Sequence, residues 1–148
     1  MKEQLQEAVD LFEEVIIYGT EHVVKNLNVP IWKEYSPEQI QVLKILSAYG
    51  NLSSGKLAEI QGVHKSAIST RLKKLADKEL VQSEKDPNDQ RSNRISLTAK
   101  GREVLTTSNE AIYENIESIF KDRIDEQELE QFIETFRKLK TILLMKEM

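Results

Sequence analysis

The sequence predicts a mainly α fold with one small β-hairpin. Three observations carry this. Apolar residues recur at three- and four-residue spacing through most of the 148 residues. That period gives way near residues 80–97 to turn formers and polar–apolar alternation. Helix-capping signatures mark several of the periodic segments.

The first helix is expected from about Lys2 to Leu27, where Leu5, Ala8, Phe12, Val15, Gly19 and Val23 form one apolar stripe. Asn28-Val29-Pro30 breaks it. Ser36 then caps a second helix, with Pro37 at its first position and Gln39 completing a capping box. Tyr35 and Ile40 are spaced as a hydrophobic staple. This helix runs through Val42, Leu43 and Leu46 to Gly50. Ser53 or Ser54 caps a short helix holding Leu57, Ala58 and Ile60. Gln61-Gly62-Val63 turns the chain into a further helix, about His64 to Lys78, whose expected core face is Ile68, Leu72, Leu75 and Ala76. Two short helices joined by a glycine turn match the helix-turn-helix pattern.

Val81 to Lys85 reads as a strand, Asp86-Pro87-Asn88-Asp89 as a turn, and Arg94-Ile95-Ser96-Leu97 as the returning strand, so a hairpin wing follows. Thr98 caps a helix carrying Val104, Leu105, Ser108, Ile112, Ile116 and Ile119. Asp125 caps the last helix, with Glu128 completing the box and Ile124 and Leu129 as staple. Leu129, Phe132, Phe136, Leu139 and Leu143 step by three and four residues, an a/d heptad seam.

Net charge is -4, but its distribution is uneven. Residues 1–27 carry a net -4, residues 28–63 balance, residues 64–102 carry +5 and residues 103–148 carry -5. One basic block on an acidic body is the electrostatic footprint of a nucleic-acid binder. The block coincides with the second helix of the helix-turn-helix and the wing. An α-helix fits the major groove, where base edges differ, and its N-terminal residues usually meet the bases. Lys65, Ser66, Ser69 and Thr70 are therefore the candidates for the groove, and Arg71, Lys73 and Lys74 for phosphates. Arg91 is the candidate to enter a narrow minor groove, with Asp89 placed to hold its guanidinium. Arg94 is placed to touch the backbone at the wing base. Taken singly, each piece also reads as a solvated helix face or a surface turn; their order around the basic block favours DNA.

These residues resemble the MarR (multiple antibiotic resistance regulator) family of winged helix-turn-helix regulators. The resemblance rests on Gly62-Val63-His64-Lys65-Ser66-Ala67-Ile68-Ser69, on Leu80-Val81, on the wing Asp86-Pro87-Asn88-Asp89-Gln90-Arg91, and on Leu97-Thr98-Ala99-Lys100-Gly101. Ser36 to Leu43 is similar to the family's second helix. The resemblance implies a single domain over 1–148, with a DNA-binding region at 36–101 and dimerisation helices at 1–30 and 103–148. It implies Asp89 and Arg91 as the wing pair, with Gln90 between them. Two positions depart from the pattern. His64 stands where a small capping residue is usual and is placed either to cap less well or to touch DNA. Glu79 stands where glycine commonly ends the helix; a left-handed backbone there costs about 1 kcal/mol.

The apolar stripes of the terminal helices, with Leu5, Phe12, Leu129, Phe132, Phe136, Leu139 and Leu143, are expected to bury in a homodimer on a palindromic operator. A monomeric bundle is the alternative. The resemblance further implies a small aromatic effector, for which Phe12, Ile16, Tyr18, His22, Trp32 and Leu46 are the candidate wall, although aromatic residues at helical spacing also serve as core.

No cofactor or catalytic role is expected: the chain has no Gly-rich phosphate loop, no metal-spaced histidine pair and no nucleophile elbow. With no cysteine and only His22 and His64, a metal site is not expected either. The acidic start and the lack of any span of about 18 apolar residues point to a cytoplasmic protein without membrane contact. The expected function is a DNA-binding transcription regulator, with repression as the family expectation; the alternative is a winged-helix protein-interaction module without specific DNA binding.

Overall fold

The computed structural model describes residues 1–146, except for the side chains of Gln90, Arg91, Ser92 and Lys146. The elements run α1 (Lys2–Asn26), α2 (Pro30–Glu34), α3 (Pro37–Tyr49), β1 (Leu52–Ser53), α4 (Ser54–Gln61), α5 (Lys65–Asp77), β2 (Val81–Asp86), β3 (Asp89–Leu97), α6 (Ala99–Phe120) and α7 (Glu126–Lys146). The mostly helical chain with its small sheet is the fold the periodicity predicts. Its contacts divide it into two compact units, 1–111 and 112–148.

In the first unit the expected serine caps act at the starts of α3 and α4. Ser36 Oγ accepts from the Gln39 N–H at 3.2 Å, and Gln39 Oε1 accepts from the Ser36 N–H at 2.8 Å. The staple residues Tyr35 and Ile40 are both buried. Ser53 Oγ accepts from the Lys56 N–H at 3.1 Å and starts α4. Gly62 ends α4 at φ 67, where the absence of a Cβ removes the steric cost of left-handed backbone. His64 occupies the cap position of α5 without a side-chain capping bond.

Two elements go beyond the sequence reading. Pro30, read as a break, is also the first residue of the short helix α2. Leu52–Ser53 adds a strand, so the wing hairpin belongs to a three-stranded antiparallel sheet of order β1-β3-β2. The hairpin is also longer than expected. Asp86 pairs with Asp89 across Pro87-Asn88, whereas Lys85 pairs with Asn93. Residues 90–92 therefore form an extra segment in β3, a bulge near the wing tip.

The core lies where α3, α4 and α5 meet the sheet. Val42, Leu43, Leu57, Ile68 and Leu75 are fully enclosed, joined by Leu80, Val81, Ile95, Leu97 and Leu105. Leu72 is half-buried against this cluster; Ala76, expected in the core, is exposed because it lies at the edge of the α5 stripe. All of α1 is described, and it carries no buried residue.

The junction after α5 is tightly built. Glu79 has φ 60, the left-handed conformation anticipated for a glycine-like position. The Leu80 N–H donates to Leu75 O at 2.9 Å and the Glu79 N–H to Ala76 O at 2.9 Å, a Schellman closure with Leu75 and Leu80 both buried. Thr98 then ties α6 to this corner: its N–H donates to Leu80 O at 3.1 Å and its hydroxyl to Glu79 O at 2.6 Å, while its Oγ1 accepts from the Gly101 N–H at 2.9 Å. Gly101 is needed here because a Cβ would lie 2.0 Å from Leu80 O.

In the second unit Asp125 Oδ1 accepts from the Glu128 N–H at 2.8 Å, capping α7 as expected. The Phe132 and Phe136 rings lie 4.3 Å apart between centroids, tilted by 30°.

Candidate nucleic-acid interface

The polar residues of α5 divide into two faces, as a 3.6-residue period requires. Lys65, Ser66, Ser69, Thr70 and Lys73 share the outward face and are exposed. The Thr70 hydroxyl donates back to Ser66 O at 3.1 Å, leaving its lone pairs outward. Exposed His64 precedes this face, at the helix start. An open groove of about 420 Å³ runs beside it, lined by Lys65, Ser69 and Lys73 of α5, by Ser54 and Gly55 of α4, and by Gln82, Ser83 and Asn93 of the sheet. Gly55 gives the Lys65 stem room: a Cβ there would lie 3.1 Å from Lys65 Cε.

Arg71 and Lys74, the other phosphate candidates, lie on a separate side of α5. Arg71 is half-buried and its guanidinium donates to Gln61 Oε1. Gln61 Nε2 in turn donates to Glu38 O at 3.0 Å and Gln41 Oε1 at 2.8 Å. Lys74 donates to Glu34 O and sits 5.2 Å from the centroid of the Tyr35 ring. One turn on, Lys78 Nζ pairs with Glu34 Oε1 at 3.1 Å. Burial, followed by the neighbouring Glu34 charge, raises the Tyr35 pKa, so the phenol stays neutral. Glu34 was not legible as a partner of α5, because it lies 40 residues from Lys74.

On the wing, Arg94 Nε lies 3.3 Å from Asp86 Oδ2, so it is held by the carboxylate beside the hairpin turn. Asp86 Oδ1 also accepts from the Asn88 N–H at 2.9 Å. That bond first, and the Arg94 guanidinium with it, hold the Asp86 carboxyl below its ordinary range. Asp89 begins β3; the side chains of Gln90 and Arg91 lie outside the described residues.

The candidate effector wall is spread over three elements. Leu46 belongs to the core of α3 and Trp32 of α2 packs against that core. His22 is half-buried on α1, whereas Phe12, Ile16 and Tyr18 of α1 have half or more of their surface exposed in the single chain. Among the described residues no group of three or more His, Cys, Asp or Glu is arranged to hold a metal, and no helix is long and apolar enough to cross a membrane.

Comparison with known proteins gives a consistent result. A family model described as the MarR family matches residues 35–92. The chain is 43% identical over 142 residues to the HTH-type transcriptional regulator YdgG of Bacillus subtilis, covering 95% of this chain and 93% of that protein. It is 35% identical over 127 residues to the HTH-type transcriptional regulator TcaR of Staphylococcus aureus, covering 82% of each. A solved structure of Staphylococcus aureus MarR in complex with salicylate and kanamycin superposes with a TM-score of 0.72 at 16% identity, covering 94% of this chain and 93% of that one.

Proposed function

The chain belongs to the MarR family, and from that membership we propose that it is a homodimeric repressor that reads a palindromic operator with α5 in the major groove and the β2–β3 wing in the minor groove. It is a transcriptional regulator, hence DNA-binding, and its named relatives are regulators rather than enzymes. The observation that carries the finer reading is the outward face of α5: Lys65, Ser66, Ser69, Thr70 and Lys73 stand together, exposed, beside the wing. Lys65, Ser66, Ser69 and Thr70 suit the groove, Lys73 suits a phosphate, and His64, exposed at the helix start, is a further candidate contact. Arg91, with Asp89, is the proposed minor-groove reader.

On this reading residues 1–148 act as one domain, with 36–101 binding DNA and 1–30 and 103–148 assembling the dimer. Support for the dimer comes from Leu5, Phe12, Leu129, Phe132, Phe136, Leu139 and Leu143, which are 40% (Phe136) to 65% (Leu143) exposed in the single chain. Side chains of that size gain about 1.5–3 kcal/mol each on full burial. A small aromatic effector at Phe12, Ile16, Tyr18, His22, Trp32 and Leu46 would release the repressor by favouring a dimer geometry with poorer fit to DNA. The salicylate bound by the structural relative supports that chemistry. A cytoplasmic location follows from the operator.

Fluorescence anisotropy tests the reading, using duplex from upstream of the protein's own gene against a scrambled duplex, at several salt concentrations. Lys73→Ala is expected to weaken both duplexes and to lower the salt slope by about 0.9 for each phosphate no longer neutralised, about 1.8 for two chains per duplex. Ser69→Ala is expected to weaken the operator alone, by about 1 kcal/mol. Equal effects of the two variants on both duplexes would refute the assignment of roles. No duplex binding at low salt would favour the protein-interaction module.

A further inference from the structure

We infer that Arg71, Lys74 and Lys78 are positioning residues, a cationic brace that fixes the pitch of α5 against the α2–α3 corner instead of contacting DNA phosphates. The inference rests on the reading that α5 enters the major groove. At about 100° per residue, Arg71, Lys74 and Lys78 fall within about 60° of one another, whereas Lys65, Ser69 and Lys73 fall within about 80° on nearly the opposite side. Each cation of the first set has a partner across the helix interface. Arg71 reaches Gln61, which reaches Glu38 and Gln41 at the start of α3. Lys74 spans to Glu34 O and covers the Tyr35 ring, and Lys78 closes on the Glu34 carboxylate.

The attachment points explain why the brace controls pitch. Glu34 and Tyr35 end α2, and Ser36, Glu38 and Gln41 begin α3, whose capping box fixes that corner. Tyr35 is buried beneath Lys74, so the ring is a rigid platform. Three anchors at positions 71, 74 and 78 run over about two turns, from within α5 to its C-cap residue Lys78, and so resist both rotation about its axis and tilt. The core residues Ile68, Leu72 and Leu75 hold the helix along one stripe; apolar packing is non-directional, and the brace adds directional contacts on a second side. A charge that already donates to a carbonyl and rests on a ring gains little from a phosphate, since it must first leave both partners.

The test compares Lys74→Met, Lys74→Arg and Lys73→Ala on operator and scrambled duplex. For Lys74→Met the operator affinity is expected to fall about fivefold, the low end of the effect of removing one base interaction. The scrambled duplex and the salt slope should stay unchanged. A loss of folded protein would weaken both duplexes alike, so the fall in their ratio identifies positioning. Lys74→Arg, which can donate to Glu34 O and stack on Tyr35, should restore the ratio. A salt slope reduced by about 0.9 per chain in Lys74→Met, with both duplexes weakened, would overturn the inference and make Lys74 a phosphate ligand. Hydrogen exchange on the free protein supplies the arm that does not depend on DNA. Lys74→Met should speed exchange in residues 31–35 and 74–80, and unchanged exchange in both segments would also overturn the brace. If Lys73→Ala leaves every duplex unaffected while the exchange result holds, the groove reading fails and the brace stands as a structural device alone.

Discussion

Replacing Gly101 by alanine should destabilise the protein by about 3 kcal/mol. The added Cβ would lie 2.0 Å from Leu80 O, 2.9 Å from Leu80 C and 3.2 Å from Leu80 Cα. An ordinary carbon–oxygen approach is at least about 3.3 Å, so the helix must retreat by about 1.3 Å. The carbonyl cannot swing aside, because Leu80 O accepts from the Thr98 N–H at 3.1 Å and the Leu80 N–H is held by Leu75 O at 2.9 Å. Retreat of α6 therefore sacrifices the Thr98 N–H bond and the Thr98 hydroxyl bond to Glu79 O, each worth about 1 kcal/mol. Residual overpacking adds about 2 kcal/mol, and the better helix propensity of alanine returns about 1 kcal/mol. Urea unfolding followed by circular dichroism, at one fixed protomer concentration, measures the difference. For a chain of this length the melting temperature should fall by about 6–12 °C. A variant as stable as the parent, or more so, would show that the α6 start is not pinned to Leu80.

The same corner and the wing supply two further tests. Glu79→Gly should raise stability by up to about 1 kcal/mol, since φ 60 is strained for glutamate and free for glycine; a lower thermal midpoint would contradict this. Asp86 has a lowered folded pKa, so its contribution is present above the ordinary carboxylate range and is lost as pH falls through the lowered value. Thermal midpoints followed from pH 7 to well below the ordinary carboxylate pKa of about 4 should decline less steeply in Asp86→Asn than in the parent, and parallel curves would remove Asp86 from the acid response of the wing.

Local signals in the sequence reported local structure well. Ser36, Gln39, Ser53, Thr98 and Asp125 act within three residues of the N–H groups they serve, so a cap is written wherever it is used. The left-handed turn at Glu79 is not written in its own residue type; the family resemblance, with glycine common at that position, is what pointed to it. β1 was not legible, because two residues carry no period, and the strand exists only through its pairing of Leu52 with Ile95. Pro30 carries a break and a helix start with equal ease, and only the burial of Ile31 selects the second. The division of cations on α5 was the least legible feature of the site. Helical spacing separates Lys73 from Lys74, but that Lys74 has a partner depends on Glu34 and Tyr35 being folded beneath it.

None of the 25 residues of α1 is buried, which makes that helix a borrower of order. A helix without tertiary packing is marginal in water beyond its own propensity. With the dimer as proposed, α1 gains most of its packing from assembly, so its melting is coupled to the association equilibrium, whereas the enclosed residues from Val42 to Leu75 belong to the chain itself. The protein then has two stabilities: one that dilution leaves alone and one that dilution erodes, and the operator-binding form needs both.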